Sequence, residues 1–252
     1  MAEHEFRAVV LDLFDTLVNW DPNRLPLFEW HGREVHSTIP WILPKLEAAL
    51  GAAYDRDRFV TVYMGVYEEI NAERERAGVE ITCFERFART LTRLGIDGAR
   101  RGELAESLAR IHMGGVRAAT AAPAHRVAAV KRLAKKYRLG LLSNFDDSRT
   151  GWEIMADTGI RGSFEAIIIS ADVGIRKPNP KIFEQMLAML KLRAHEVLFV
   201  GDTPHHDVAG AKNVGMRAAW IRRHALPLPE GVPEPDFVLD DLAELPDLLE
   251  NS

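Results

Sequence analysis

Only one cysteine, Cys83, occurs in 252 residues. An intramolecular disulfide is therefore excluded, and nothing near Cys83 marks an activated thiolate, so it is expected to be a buried packing residue. Long apolar runs are missing too: none reaches the roughly 18 residues of a membrane span. The stretch Glu3-His4-Glu5 leads into a strand-like run with no signal-peptide core. No membrane partner and a cytoplasmic location are the corresponding expectations. Basic charge is in deficit, with 32 Lys and Arg against 37 Asp and Glu for a net charge of −5, and the cations are scattered. Such a surface field does not predict a nucleic-acid partner. Repeats and low-complexity tracts are absent, and the Pro-rich stretch Pro227 to Pro235 reads as a surface loop. Nothing in the sequence specifies an oligomeric state.

What is present is periodicity of two kinds. From Ala124 onward helices and strands alternate: a helix to Lys136, a strand Leu139 to Leu142, a helix from about Ser148, and a strand Ala166 to Ser170. The series continues with a helix Pro180 to Leu192, a strand Val197 to Val200, a helix near Asp207 to Val214, and a strand Ala218 to Ile221. Phe237 to Leu239 and Leu242 to Leu249 add a short strand and a last helix. This alternation, with the apolar run Phe6 to Leu11, predicts an α/β fold with a doubly wound parallel sheet. The segment Trp20 to Gly115 differs, being rich in helix periodicity and poor in strand runs. Its candidate helices are Pro40 to Leu50, Asp55 to Ala77, Phe84 to Leu94 and Ala99 to His112. Glu68, Glu69, Glu73 and Arg74 are expected on a solvated face.

Chemistry gathers at the strand ends. The first strand delivers Asp12-Leu13-Phe14-Asp15-Thr16, and a carboxylate at the tip of a parallel strand can serve as nucleophile, base or metal ligand, or simply cap a turn. Ser143 and Asn144 follow the second strand, where a hydroxyl and backbone N–H groups can bind an anion or cap a helix. Lys177-Pro178 precedes a helix. Gly201-Asp202-Thr203-Pro204-His205-His206-Asp207 follows the strand Val197 to Val200. Asp202 and Asp207 could join Asp12 in a hard, oxygen-rich site of the kind that takes Mg²⁺, since unneutralised converging acids repel one another, and Asp207 could also cap the helix after the loop. His205 and His206 are adjacent, poorly placed to bind one metal together, and read as loop or pocket-edge residues.

These four segments, in this order, resemble the haloacid dehalogenase-like (HAD) superfamily over Phe6 to Thr16 and roughly Ala124 to Ile221. The resemblance implies a Rossmann-like core at residues 1–19 and 116–252, with a small helical cap domain at 20–115 that closes over the pocket and helps to select substrate. It also implies a hydrolase with Asp12 as the nucleophile that forms a covalent intermediate, and with Thr16, Ser143, Asn144 and Lys177 in supporting catalytic roles. The expected cofactor is Mg²⁺, held by Asp12, the backbone carbonyl of Phe14, Asp202 and Asp207. A small phosphorylated metabolite is the expected substrate.

One residue departs from the phosphatase pattern, because Phe14 stands where such enzymes carry a second Asp that protonates the leaving alcohol. General acid–base help of that kind is typically worth about 10²- to 10⁴-fold. Haloacid dehalogenases place an aromatic residue there and need no metal, but their fourth motif usually replaces the Gly-Asp pair found here as Gly201-Asp202. A Mg²⁺-dependent phosphatase is the favoured expectation. A metal-independent 2-haloacid dehalogenase and a non-catalytic binding protein of the same fold remain as alternatives. If extended geometry continued past Asp12, Phe14 would share its face and Asp15 would point away.

Overall fold

Ala8–Leu11 is an apolar tetrapeptide with all four side chains buried, which suits a strand covered on both faces. In the computed structural model, which describes residues 6–30, 32–51, 54–223 and 227–251, it is an interior strand of a six-stranded parallel sheet. Glu3-His4-Glu5 lies outside the described residues. The strands of this sheet are β1 (Ala8–Leu11), β2 (Arg138–Ser143), β3 (Ala166–Ile169), β4 (Val197–Gly201), β5 (Arg217–Ile221) and β6 (Phe237–Leu239), in the spatial order β6-β5-β4-β1-β2-β3. β1 pairs with both β2 and β4, Leu11 lying level with Leu141 and Val200. The chain winds outward from β1 on one side through β2 and β3, and on the other through β4, β5 and β6. The order therefore reverses beside β1, and the carboxyl ends of β1, β2 and β4 border the crevice where such sheets bind ligands.

Alternate residues of each strand feed two cores. Val9, Leu11, Leu139, Leu141, Leu198 and Val200 pack with Val130, Leu133, Ile154 and Met155 from the helices Ala124–Leu133 and Ser148–Asp157. Ala8, Val10, Leu142, Val197 and Phe199 pack with Ile182, Phe183, Met186 and Leu190 from the helix Pro180–Leu190. Each fully buried aliphatic or aromatic side chain of this kind contributes about 1.5–3 kcal/mol. Gly140 in β2 is needed for the fit, since a Cβ there would meet Met186 Sδ at 2.8 Å and Val10 Cγ2 at 3.0 Å.

The chain divides into two compact units, Met1–Asn19 with Ala121–Ser252, and Trp20–Thr120. The second unit holds an antiparallel hairpin, Leu27–Trp30 with Arg33–His36, and the helices Ile39–Leu50, Arg56–Ala77, Cys83–Arg93 and Gly98–Ala118. Asp55 and Thr82 cap two of these helices through the N–H groups of Arg58 and Glu85. Gly78, at φ 62°, ends the first of the two in the left-handed conformation glycine tolerates. Cys83 is fully buried. No described helix is long and apolar enough to cross a membrane.

Three details differ from expectation. The hairpin is absent from a periodicity reading because its four-residue strands are too short to outweigh the surrounding helix pattern. The last helix continues beyond His112 and past the boundary expected after Gly115: a Cβ on Gly115 would lie 2.6 Å from Thr38 Cγ2 and 2.7 Å from Trp41 Cζ3. That glycine allows close packing inside a helix and does not end it. Arg74 is buried, with its Nε 3.0 Å from Glu80 Oε1 and its guanidinium donating to the Ile81 carbonyl. It leaves the helix's solvated face because the turn after Gly78 brings Glu80 beneath it.

Candidate active site

Glycine at the end of β4 decides where the fourth-motif acids go. A Cβ on Gly201 would lie 2.3 Å from Asp207 Cγ, so only glycine lets the Asp207 carboxylate fold back against the strand tip. Asp207 belongs to a π-helical turn, Pro204–Val208, a geometry common at functional sites. Its N–H donates to the Thr203 carbonyl at 2.8 Å, and its Oδ2 accepts from the Thr203 N–H at 2.8 Å. Asp202 is fixed through its backbone, whose carbonyl accepts from Trp220 Nε1 at 3.1 Å. Asp12 continues the ladder of β1 by one residue, donating its N–H to the Val200 carbonyl at 2.9 Å. Carboxylate oxygens of Asp12, Asp202 and Asp207 lie within 4.8 Å of one another.

Lys177 is the cation of this cluster. Its side chain is 2% exposed, and the ammonium is 2.6 Å from Asp12 Oδ1 and 2.7 Å from Asp207 Oδ1. Asn144 holds it there, accepting from the Lys177 N–H at 2.8 Å and donating to the Lys177 carbonyl at 2.9 Å. This double hydrogen bond makes Asn144 a clamp between the tip of β2 and the Lys177-Pro178 segment. Ser143 and Thr16 are buried, and neither hydroxyl has a hydrogen-bond partner among the described residues.

One ammonium does not neutralise three acids. Burial is the largest influence on Asp12; Asp207 and Asp202 add to it, Lys177 opposes it, and the carboxyl is pushed up to about 7. Asp202 is pushed up to about 6, first by burial and then by Asp207 and Asp15. Burial alone would lower Lys177, but Asp12 and Asp207 outweigh it and hold the ammonium above its ordinary value. Three oxygen-donor groups carrying excess negative charge match the chemistry of a hard divalent cation such as Mg²⁺.

A cavity of about 200 Å³ opens over the cluster, lined by Asp12, Phe14, Asp15, Asn144, Arg176, Lys177, Asp202, Thr203, His206 and Asp207. Phe14 packs against Phe145, ring centroids 4.9 Å apart and planes tilted by 43°. The extended path ends after Phe14, because Asp15 adopts φ 59°. Asp15 consequently lines the cavity instead of pointing away. Asp is one of the side chains that tolerates this left-handed conformation. Asp15 Oδ2 pairs with Arg223 Nη1 at 2.5 Å, and the same nitrogen is 3.9 Å from Asp202 Oδ2. His206 lines the cavity while His205 is exposed.

The sequence reading did not single out Arg176, Phe145 or Arg223. Arg176 carried a signal in its position next to Lys177. The other two sit at positions that only the folded chain relates to Asp12.

A profile described as haloacid dehalogenase-like hydrolase matches residues 6–215. The chain belongs to that family. Over 86 residues, this HAD-like chain is 41% identical to a glyceraldehyde 3-phosphate phosphatase of Pyrococcus abyssi, a match covering 34% of this chain and 36% of that protein. Matches to the first three curated relatives span 36% to 50% of their lengths. Among solved structures, a 2-haloacid dehalogenase from Pseudomonas syringae pv. Tomato DC3000 is similar at TM-score 0.71 and 23% identity, covering 98% of this chain and 99% of its own. A HAD phosphatase from Thermococcus onnurineus is similar at TM-score 0.61 and 22% identity, covering 97% and 98%. At these identities the structural likeness is one of fold, shared by one structure named a dehalogenase and one named a phosphatase.

Proposed function

We propose that this HAD-like hydrolase is a Mg²⁺-dependent phosphohydrolase acting on a small phosphorylated metabolite, with Trp20–Thr120 serving as its cap. The observation that carries the reading is the Asp12, Asp202 and Asp207 cluster at the strand tips, because a metal-independent displacement has no use for three converging acids. The cation would be held by these three carboxylates and the Phe14 carbonyl. When bound, it supplies positive charge to the phosphoryl oxygens.

Asp12 attacks phosphorus, forming an aspartyl phosphate that water then hydrolyses. Lys177, 2.6 Å from Asp12 Oδ1, favours the ionised nucleophile and offsets the charge of the incoming phosphate. Asn144 keeps Lys177 in register. The buried Ser143 hydroxyl is a donor at the tip of β2 for a phosphoryl oxygen, and Thr16 supports the turn after Asp12. A 2-haloacid dehalogenase is the second reading, favoured by Phe14, since halide leaves without a proton.

A screen of phosphate esters, acyl phosphates and 2-haloacids, each with Mg²⁺ and with chelator, separates the two. Phosphate release that requires Mg²⁺ is the expected result, and halide release at full rate in chelator is the result that supports the dehalogenase. Asp12→Asn should lower turnover by about 10⁴-fold or more in protein that remains folded, since Lys177 keeps its ion pair with Asp207. Undiminished turnover by that variant would rule out the covalent route.

A further inference from the structure

The leaving-group side of the cavity contains an aromatic wall in place of an acid. Phe14 follows Asp12 by two residues and lines the same cavity. Its ring is held against Phe145 and packs on the core formed by β1, β2 and their covering helices. Packing of this kind fixes the ring in place. The nearest carboxylate in the chain, Asp15, is committed elsewhere: its left-handed backbone carries Oδ2 to 2.5 Å from Arg223 Nη1, on the side of Asp202. Phe14 offers no proton to a departing oxygen and no base to an attacking water.

Resting on the phosphohydrolase reading above, we propose that the site serves phosphates whose leaving oxygen departs as a stable anion, namely acyl, enol and aryl phosphates. We further infer that the aspartyl phosphate accumulates during turnover. In the first step an Asp12 oxygen bonds to phosphorus as the bond to the leaving oxygen breaks. The electron pair departs with that oxygen, as a carboxylate, enolate or phenolate that needs no proton. In the second step water oxygen bonds to phosphorus and the bond to Asp12 breaks, its electron pair returning to the carboxylate. The proton lost by the water passes to the released phosphate. A missing acid penalises the first step only for poor leaving groups, whereas a missing base slows the second step for all of them. With a good leaving group the second step is then the slow one.

The test uses the full chain with Mg²⁺ and four probes: acetyl phosphate, para-nitrophenyl phosphate, phenyl phosphate and glycerol phosphate. kcat/KM should fall by about 10²-fold or more from the nitrophenyl ester to glycerol phosphate. Among the activated substrates kcat should level off, because they share one slow step. Rapid mixing with the nitrophenyl ester should release a burst of nitrophenolate approaching one equivalent per site, and quenched protein should gain the mass of one phosphoryl group. Glycerol phosphate hydrolysed as readily as the aryl esters, or no burst, overturns the inference and leaves the phosphohydrolase reading standing. Failure to hydrolyse any of the four overturns that reading itself. In folded Phe14→Asp the preference for aryl over alkyl phosphate should shrink about tenfold, the effect of restoring leaving-group protonation. An unmoved preference would show that Phe14 does not stand in the acid's place.

Discussion

The two units of the chain pair their charges differently. In the second unit acids and arginines are matched: Glu80 with Arg74 at 3.0 Å, Glu73 and Glu85 with Arg89 at 2.7 and 2.9 Å, Glu106 with Arg110 at 2.7 Å, and Glu69 with Arg93. At the strand tips of the first unit, Asp12 and Asp207 share Lys177 while Asp15 and Asp202 share Arg223. The deficit is local. Elsewhere in the same unit Asp236 meets Lys212 and Arg217, and Asp241 meets Arg126. Burial pulls both of those acids upward, yet their hydrogen bonds and ion pairs overcome it and leave both below the usual carboxylate value. Asp12 and Asp202 move the opposite way. Acids elsewhere are compensated in place, and the excess at the strand tips is what the proposed Mg²⁺ would offset.

Breaking a matched pair tests one half of this contrast. Glu80→Ala removes the carboxylate facing the buried Arg74 guanidinium, which keeps its bond to the Ile81 carbonyl but no longer has this counter-charge, and unfolding by denaturant should show a loss of about 3–5 kcal/mol. Turnover per folded molecule should stay unchanged; a fall in turnover would tie this pair to the site.

The other half is tested at Gly201. In Gly201→Ala the new methyl displaces the Asp207 carboxylate, and turnover should drop by about 10²-fold, as a misplacement near 1 Å does. Calorimetric titration with Mg²⁺ should weaken in parallel. Full Mg²⁺ affinity in this variant would remove Asp207 from the proposed metal site.

The smallest effect is the most direct reading of the charge deficit. Asp12 and Asp202 have carboxyls raised from 3.8 to about 7 and about 6. Raised values mean that the folded chain without cation keeps these groups' stabilising contribution below about pH 4 and loses it as pH rises through 6 to 7. On the proposed reading, Mg²⁺ bound to these carboxylates would restore what ionisation costs. The rise in melting temperature on adding Mg²⁺ should therefore be slight near pH 4.5 and grow to a plateau above about pH 7.5. A rise independent of pH would place the cation away from Asp12 and Asp202.

Much of the architecture was legible because it rests on local pattern. Runs such as Val197 to Val200 are buried on both faces and read as strands, and the alternation with helices implies a parallel sheet. Asp12, Lys177, Asp202 and Asp207 stood out because each follows a strand or precedes a helix in the family's order. Other features depend on contacts distant in sequence. Gly115 reads as the end of the helical segment until Thr38 and Trp41 are seen against it, and Arg74 reads as solvated until Glu80 is found beside it. Asp15 reads as pointing away from Asp12 until the chain turns left-handed at that residue.

The amino-acid sequence by itself determined the strands of the parallel sheet, their order along the chain, and which acids stand at strand ends, since periodicity and terminal residues are properties of neighbouring positions. Only the tertiary structure decided how the charges are shared. Asp12 and Lys177 are 165 residues apart in the chain and 2.6 Å apart in the fold. Whether a carboxylate is matched, shared or left in excess depends on such distances and on burial, to which electrostatic energies respond steeply and which no local pattern encodes.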